Sequence, residues 1–259
     1  MATTPLASVC VPKSTVNTES ADLRSTFASA LADPERRKRL LGMLACFGLL
    51  CLIFGVNLNH FLHAWTNDEN YSHGFLVPLI SLYFANQAAA RGPIKLRGGA
   101  VLGLSLLALS LVGRLTMVLI PIPFLGDLAL LVGLAGLCAL LAGIEALRRY
   151  WFAIFFLIFM VPLPIALYTK FASPLQLLAS RLATAFLNVS GVPVLCEGNM
   201  MTLPGGVQMF VAEACSGMRQ LTGFLALTAA VAYLTSRPLW YRLAVVASAI
   251  PIAITANVA

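Results

Sequence analysis

The sequence predicts an all-α integral membrane protein of about seven transmembrane helices, carrying a small extracytoplasmic insertion of one helix and a β-meander. Composition is the first reason. Of 259 residues, 59% are hydrophobic and only 10% charged, whereas soluble domains carry about 25% charged residues. Mean hydropathy is +0.88. The second reason is that apolar runs of about 20 residues, enough to cross roughly 30 Å of hydrocarbon, recur along the chain. The third is that Lys and Arg concentrate in short connectors, so the net charge of +7 reads as setting topology. Nucleic-acid binding is excluded as a function class, because the chain has no soluble basic domain to perform it.

Residues 1–34 are polar, rich in Ser, Thr and Ala, and lack an apolar core, so neither a secretory signal nor a span is expected there. We expect a disordered cytoplasmic tail followed by a polytopic membrane domain over 35–259. Apolar runs fall near 40–58, 74–90, 99–120, 125–146, 150–168, 215–235 and 239–259. The second contains Pro78, and the third and fourth are separated by PIPFLGD. The basic connectors ERRKR (35–39), RGPIKLR (91–97), ALRRY (146–150) and SRPLWYR (235–241) then alternate with the others and share the cytoplasmic face. HFLHAWTNDENYSH (60–73), which has Asp68 and Glu69 but no Lys or Arg, belongs outside, as does PIPFLGD with Asp127.

The connector 169–214 also falls outside. In its first half Leu175, Leu178, Leu182 and Phe186 recur at helical spacing, with Gln176, Ser180 and Arg181 elsewhere on the wheel, which predicts a helix lying in the interface. Its second half, VPVLCEGNMMTLPGGVQMFVAEA, alternates around the turn signals EGN and PGG and predicts a strand meander. An open sheet edge cannot lie bare in lipid, so the meander belongs outside the bilayer or against protein. It leads to VAEACSGMRQL (211–221).

Cys215 in that stretch is the leading site candidate. Placed where a helix begins, its thiol would have a lowered pKa, and Arg219, four residues on, shares its helical face. A guanidinium there can stabilise a thiolate or the oxyanion formed by attack on a carbonyl. Ser216 and Gly217 permit close approach of a substrate backbone and leave helix N–H groups free. Glu213 either pairs with Arg219 or acts as a favourable charge at the helix start. Two other readings of Cys215 stand beside this one: simple packing, and a disulfide with Cys196, the other cysteine expected outside. Cys46, Cys51 and Cys138 lie in apolar runs and Cys10 in the tail, where packing or incidental roles are expected.

The thiol lacks an evident base. His60, His63 and His73 share one outer connector, and any of them could reach Cys215 in space. The same histidines could be imagined as a zinc site, but their spacing is generic, so no metal or other cofactor is expected. Trp65 and Tyr71 suit a headgroup-level segment. Arg114, within the third run, is either functional or reaches outward to the interface.

WTNDENYSHGFLVPLISLYF (65–84), FLIFMVPLP (156–164) with SPLQLLASRLA (173–183), GVPVLCEGNMMTLPGG (191–206), VAEACSGMRQL (211–221) and SAIPIAITANVA (248–259) occur in an order that resembles the exosortase/archaeosortase family of integral membrane cysteine transpeptidase-like enzymes. The resemblance implies an enzyme that recognises a C-terminal sorting signal of the PEP-CTERM type on exported proteins. Such an enzyme cleaves outside the membrane and transfers the new carboxyl terminus to an envelope acceptor, in a setting linked to exopolysaccharide. Cys215 matches the family nucleophile, and Asn257 lies in the family's final ANxx motif. The family places an arginine directly after that motif, where this sequence reaches Ala259, so we expect the chain to be C-terminally incomplete. The rival reading is a non-enzymatic membrane component of exopolysaccharide assembly or export, in which Cys215 only packs.

Overall fold

The computed structural model describes residues 34–92, 94, 98–210 and 218–258. Its helices are α1 (Pro34–Ile53), α2 (Gly55–Asn67), α3 (Leu76–Ala89), α4 (Ala100–Leu119), α5 (Pro123–Ala142), α6 (Ile144–Phe156), α7 (Ile165–Val189), α8 (Met218–Leu234), α9 (Leu239–Ala247) and α10 (Ala249–Val258). Two 3-10 segments, Glu69–Phe75 and Leu157–Met160, lie between α2 and α3 and after α6.

Among the described residues seven spanning helices are not found, and the expected all-α, seven-span architecture is corrected. Two helices among the described residues, Ala100–Leu119 and Pro123–Ala142, are long and apolar enough to cross a membrane, or up to four candidates if two bent pairs each count as one span. Those pairs are Leu40–Ile53 with Gly55–Asn67, bent by 71°, and Ile144–Met160 with Ile165–Val189, bent by 87°. The physical reasons differ from run to run. The run 40–58 breaks at Phe54, and 150–168 is cut by the prolines of VPLP. Within 74–90 only the 14 residues of α3 are α-helical, about 21 Å at ~1.5 Å per residue. The run 239–259 divides at Ser248 into α9 and α10. An apolar run marks burial, and burial in a bundle looks the same in sequence as burial in lipid.

The sequence Leu195–Phe210 forms a three-stranded antiparallel sheet of β1 (Leu195–Glu197), β2 (Met200–Thr202) and β3 (Gln208–Phe210), in that spatial order. Cys196 pairs with Met201, and Met201 with Met209. The EGN turn is made possible by Gly198 at φ +67° and the PGG turn by Gly205 and Gly206, at φ +91° and +81°. Asn188 at the end of α7 bridges to this sheet, its Oδ1 accepting from the Val194 amide at 2.7 Å and its Nδ2 donating to the Val194 carbonyl.

The core joins α3, α6 and α8 through aromatic rings. Phe84 meets Phe152, Phe156 and Tyr233 edge-on at centroid distances of 5.1, 5.2 and 5.3 Å, while Phe152 and Tyr233 stack in parallel at 3.7 Å. Phe152 and Phe156 present one helical face because they are four residues apart. Ser81 Oγ ties α3 to α6 by donating to the Ala153 carbonyl at 2.7 Å.

Helices α4 and α5 form the tightest hairpin, because small residues let their backbones approach. A Cβ at Gly103 would lie 2.6 Å from the Leu140 amide nitrogen, and one at Gly136 2.9 Å from that of Leu107. Ser110 Oγ donates across the seam to the Ala129 carbonyl at 2.7 Å. Since the obstacle at Gly103 is backbone, no rotamer change relieves it. Gly103→Ala is expected to destabilise the detergent-solubilised protein by about 1–3 kcal/mol, read as a lower thermal unfolding midpoint. Gly42→Ala in α1, where nothing lies within 4 Å, serves as the control and should leave the midpoint unchanged or slightly raised.

Candidate active site

The site region begins with a helix broken by proline. In an unbroken helix the Ile158 and Met160 carbonyls would accept from residues 162 and 164, both prolines without an N–H. The Leu163 amide, which would have served Phe159, donates instead to the Tyr71 hydroxyl at 3.0 Å. The orphaned carbonyls find other partners. Ile158 accepts from the Val161 amide at 3.2 Å, Met160 from the Trp65 indole Nε1 at 3.0 Å, and Phe159 from the His73 ring Nε2 at 3.2 Å. The ring contact with a carbonyl assigns the proton to Nε2.

These contacts moor residues 65–75 on residues 159–163. Trp65 lies flat against Phe61, with centroids 5.8 Å apart, and meets Phe75 edge-on at 5.2 Å. Gly74 is required beside it, because a Cβ there would collide with the indole. Asp68 caps the 3-10 segment, its Oδ1 accepting from the Asn70 amide at 2.9 Å and the Asn70 side chain at 2.8 Å.

An open cleft of about 730 Å³ lies against this junction, with His60, His63, Asn67, Asp68, Glu69 and Tyr71 on one side and Pro162 and Leu163 on the other. Behind it lies a polar cluster that joins α2 to α5. Asp127, fully buried, accepts from Asn57 Nδ2 at 2.7 Å through Oδ1 and faces His60 Nδ1 at 3.1 Å through Oδ2. Asn57 is also fully buried. A Cβ at Gly126 would stand 2.5 Å from Asn57 Nδ2, so glycine is what lets the amide reach the carboxylate. Sequence reasoning used Asp127 only as a marker of sidedness and missed Asn57 altogether. The available signal was an ionisable residue near the start of an otherwise apolar helix.

The residues expected from sequence are distributed as follows. Glu213, Cys215, Ser216 and Gly217 lie outside the described residues. Arg219 stands in the first turn of α8 and Asn257 in the last turn of α10, and these two helices pack together. His73 is at the proline break, as above. Half-buried Arg114 on α4 donates from Nε to the Ile53 carbonyl at 3.2 Å, the point at which α1 breaks from α2, and from Nη1 to Met117 Sδ at 3.7 Å. A carbonyl freed by a helix break in apolar surroundings costs several kcal/mol if left bare, and Arg114 supplies its donor. His73 and Arg114 thus serve different breaks. Cys196 carries a free thiol that donates to the Gly198 carbonyl. Among the described residues no group of three or more His, Cys, Asp or Glu is disposed to hold a metal ion.

Burial holds the His73 pKa below the ordinary 6.5, against the opposing pull of the Phe159 and Asn70 backbone. Burial likewise raises the Tyr71 pKa, with the Asp68 charge adding to it and the Leu163 amide opposing. For His73 the sign follows from linkage: below pH 6.5 the unfolded chain takes up a proton that the folded ring resists, so stability falls with acidification. The unfolding midpoint should therefore drop as pH falls through 6.5 and level off below the folded pKa. His73→Gln should show a shallower dependence over the same range, measured by thermal unfolding in detergent.

Residues 65–259 match the family model described as Transmembrane exosortase. No curated protein and no solved structure matches the chain. The match runs through the moored Trp65 segment, the proline break, the sheet and α8 alike, and on that breadth the chain belongs to the transmembrane exosortase family, membrane-associated proteins with a general protein-sorting role.

Proposed function

We propose that this chain is a membrane cysteine peptidase or transpeptidase that cleaves C-terminal sorting signals of the PEP-CTERM type from exported proteins, through a thioester on Cys215. The observation that carries the proposal is the family match, which includes EACSG (213–217). Packing around the cleft supports it. Leu221, in the first turn of α8, packs with Tyr168 and Ala172, as does Leu163, and Leu163 lines the cleft beside Tyr71. The helix that follows Cys215 is therefore anchored next to the cleft.

The basic connectors support the orientation. Arg149 donates to the Gly92 carbonyl, and Arg91 to the Tyr233 hydroxyl at 3.4 Å, so basic segments gather at the C-terminal end of α3. The cleft adjoins the 3-10 segment at its other end. By the positive-inside rule the basic end is cytoplasmic and the cleft extracytoplasmic, at the inner membrane.

In the proposed reaction the Cys215 thiolate attacks the peptide carbonyl carbon. The tetrahedral oxyanion collapses with loss of the C–N bond, the leaving amine takes up a proton, and the acyl group stays on sulfur. An envelope amine or water then displaces the thiolate. Arg219 and the helix N–H groups stabilise the oxyanion, Ser216 and Gly217 admit the substrate backbone, Glu213 orients Arg219, and Asn257 shapes the pocket from α10. The partners are exported proteins with sorting tails, membrane lipid and an envelope acceptor.

The test is co-expression of a reporter bearing a sorting tail. Cys215→Ala should abolish processing, and Arg219→Ala should slow it about 10²–10³-fold. Equal processing by wild type and Cys215→Ala would sink the nucleophile assignment and favour a non-enzymatic role in exopolysaccharide assembly.

A further inference from the structure

We propose that the crevice between α1, α4 and α5 holds one acyl chain of a membrane glycerophospholipid, whose phosphate is taken by Arg114. This site is independent of the chemistry proposed for Cys215.

Two helical stripes build the crevice. Cys46, Leu49, Leu50 and Ile53 recur at i, i+3, i+4 and i+7 along α1, and Leu107, Ser110 and Leu111 recur at i, i+3 and i+4 along α4. Phe54 with Leu137 and Leu140 of α5 completes the wall around about 260 Å³. Gly133 of α5 brings the stripes together, since a Cβ there would lie 2.7 Å from Ser110 Oγ and 3.0 Å from Leu50 Cδ1. The Ser110 hydroxyl is committed to the Ala129 carbonyl, so the side chains facing the space are apolar apart from the Cys46 thiol. From Cys46 to Ile53 the slot runs about 10 Å, at ~1.5 Å per residue. It is open along one side, where Leu49, Ile53 and Leu111 are exposed, and in a bilayer the molecules at that depth are acyl chains.

Arg114 continues the α4 stripe three residues beyond Leu111 and reaches the top of the α1 stripe, where Nε donates to the Ile53 carbonyl at 3.2 Å. Nη1 turns to Met117 Sδ at 3.7 Å, a weak acceptor. Among the described residues the guanidinium has no carboxylate within ion-pair distance, and Asp127 commits its two oxygens to Asn57 and His60. A guanidinium keeps its charge in proteins. On a helix that is long and apolar enough to cross a membrane, and about 8 Å short of that helix's end at ~1.5 Å per residue, the cation needs an anion at membrane depth. A lipid phosphate arrives there with its chain attached, and its oxygens match the guanidinium fork.

Charge decides between a lipid and a second copy of the chain. The acidic residues of α1, α4 and α5 are Glu35, in the first turn of α1 and so at the opposite end from Ile53, and the fully buried Asp127. A second copy crossing the membrane in the same direction and packing through this face would bring neither to Arg114. A phospholipid satisfies the apolar slot and the cation together.

The experiment takes the full chain in detergent and adds phosphatidylglycerol carrying a photoactivatable acyl chain, dioleoylglycerol, or glycerol phosphate. Native mass spectrometry reads the bound mass and peptide mapping locates the photo-adducts. One phosphatidylglycerol should bind per chain and label residues 46–54, 107–111 or 137–140, while the other two additives bind at least about tenfold more weakly. Arg114→Gln places an amide nitrogen at the chain position of Nε, so it keeps a donor for Ile53 and loses the cation. Its affinity for phosphatidylglycerol should fall about tenfold, and Arg114→Lys should recover most of it. Leu111→Trp, at the exposed edge, fills the slot and should lose the adducts with Arg114 intact. Binding that is equal in wild type and Arg114→Gln would overturn the inference, as would dioleoylglycerol binding as well as phosphatidylglycerol. Adducts outside those segments, or a dimer that shields them from labelling, would overturn it too.

Discussion

The structure depends on one constraint: wherever a helix breaks in apolar surroundings, the carbonyls it frees must find donors. The break at VPLP frees the carbonyls of Phe159 and Met160, the first because the Leu163 amide turns away and the second because Pro164 has no N–H, and their donors come from His73 and Trp65, more than 80 residues earlier in the chain. The Leu163 amide runs the other way, to Tyr71. Three bonds therefore hold two distant segments together, and the cleft exists because the chain turns sharply on both of its sides. A continuous helix at either place would leave no concavity.

The break between α1 and α2 follows the same rule with a different donor. The Ile53 carbonyl is taken by Arg114, and beyond the break α2 carries Asn57 and His60 to Asp127. Bending α2 by 71° away from α1 thus does what bending α7 away from α6 does. Each bend converts a stretch that could have crossed a bilayer into a wall of the site. The long straight helices α4 and α5 are the counterweight, closely packed through glycine and Ser110, and α5 is the rigid element that presents Asp127.

Much of this was legible in the sequence, and the illegible part has a common cause. Turns that need glycine at positive φ, at EGN and PGG, announced the sheet, because few other residues adopt that backbone. Charge in a short loop is a local property, and of the basic connectors the structure joins 91–92 with Arg149. The count of spans was not legible, since Leu, Ala and Phe serve equally well against lipid and against another helix. The aromatic set of Phe84, Phe152, Phe156 and Tyr233 shows why: these rings pack on each other, while Leu79, Leu82 and Trp151 of the same helices are exposed. Nor was the role of Arg114 legible, because a side chain's partner across a helix break is set by which helix lies alongside.

The sequence alone therefore determined membrane character, the turn-bounded strands and the motif order that marks the family. Those are properties of composition, spacing and local backbone preference, which a chain carries wherever it goes. Only the tertiary structure decided that the described residues hold two to four candidate spans, and that His73 belongs to a carbonyl while His60 belongs to a buried carboxylate. The reason is physical: a histidine's chemistry is set by the groups within about 3 Å of each ring nitrogen, and here those groups come from residues 67 and 86 positions away in sequence.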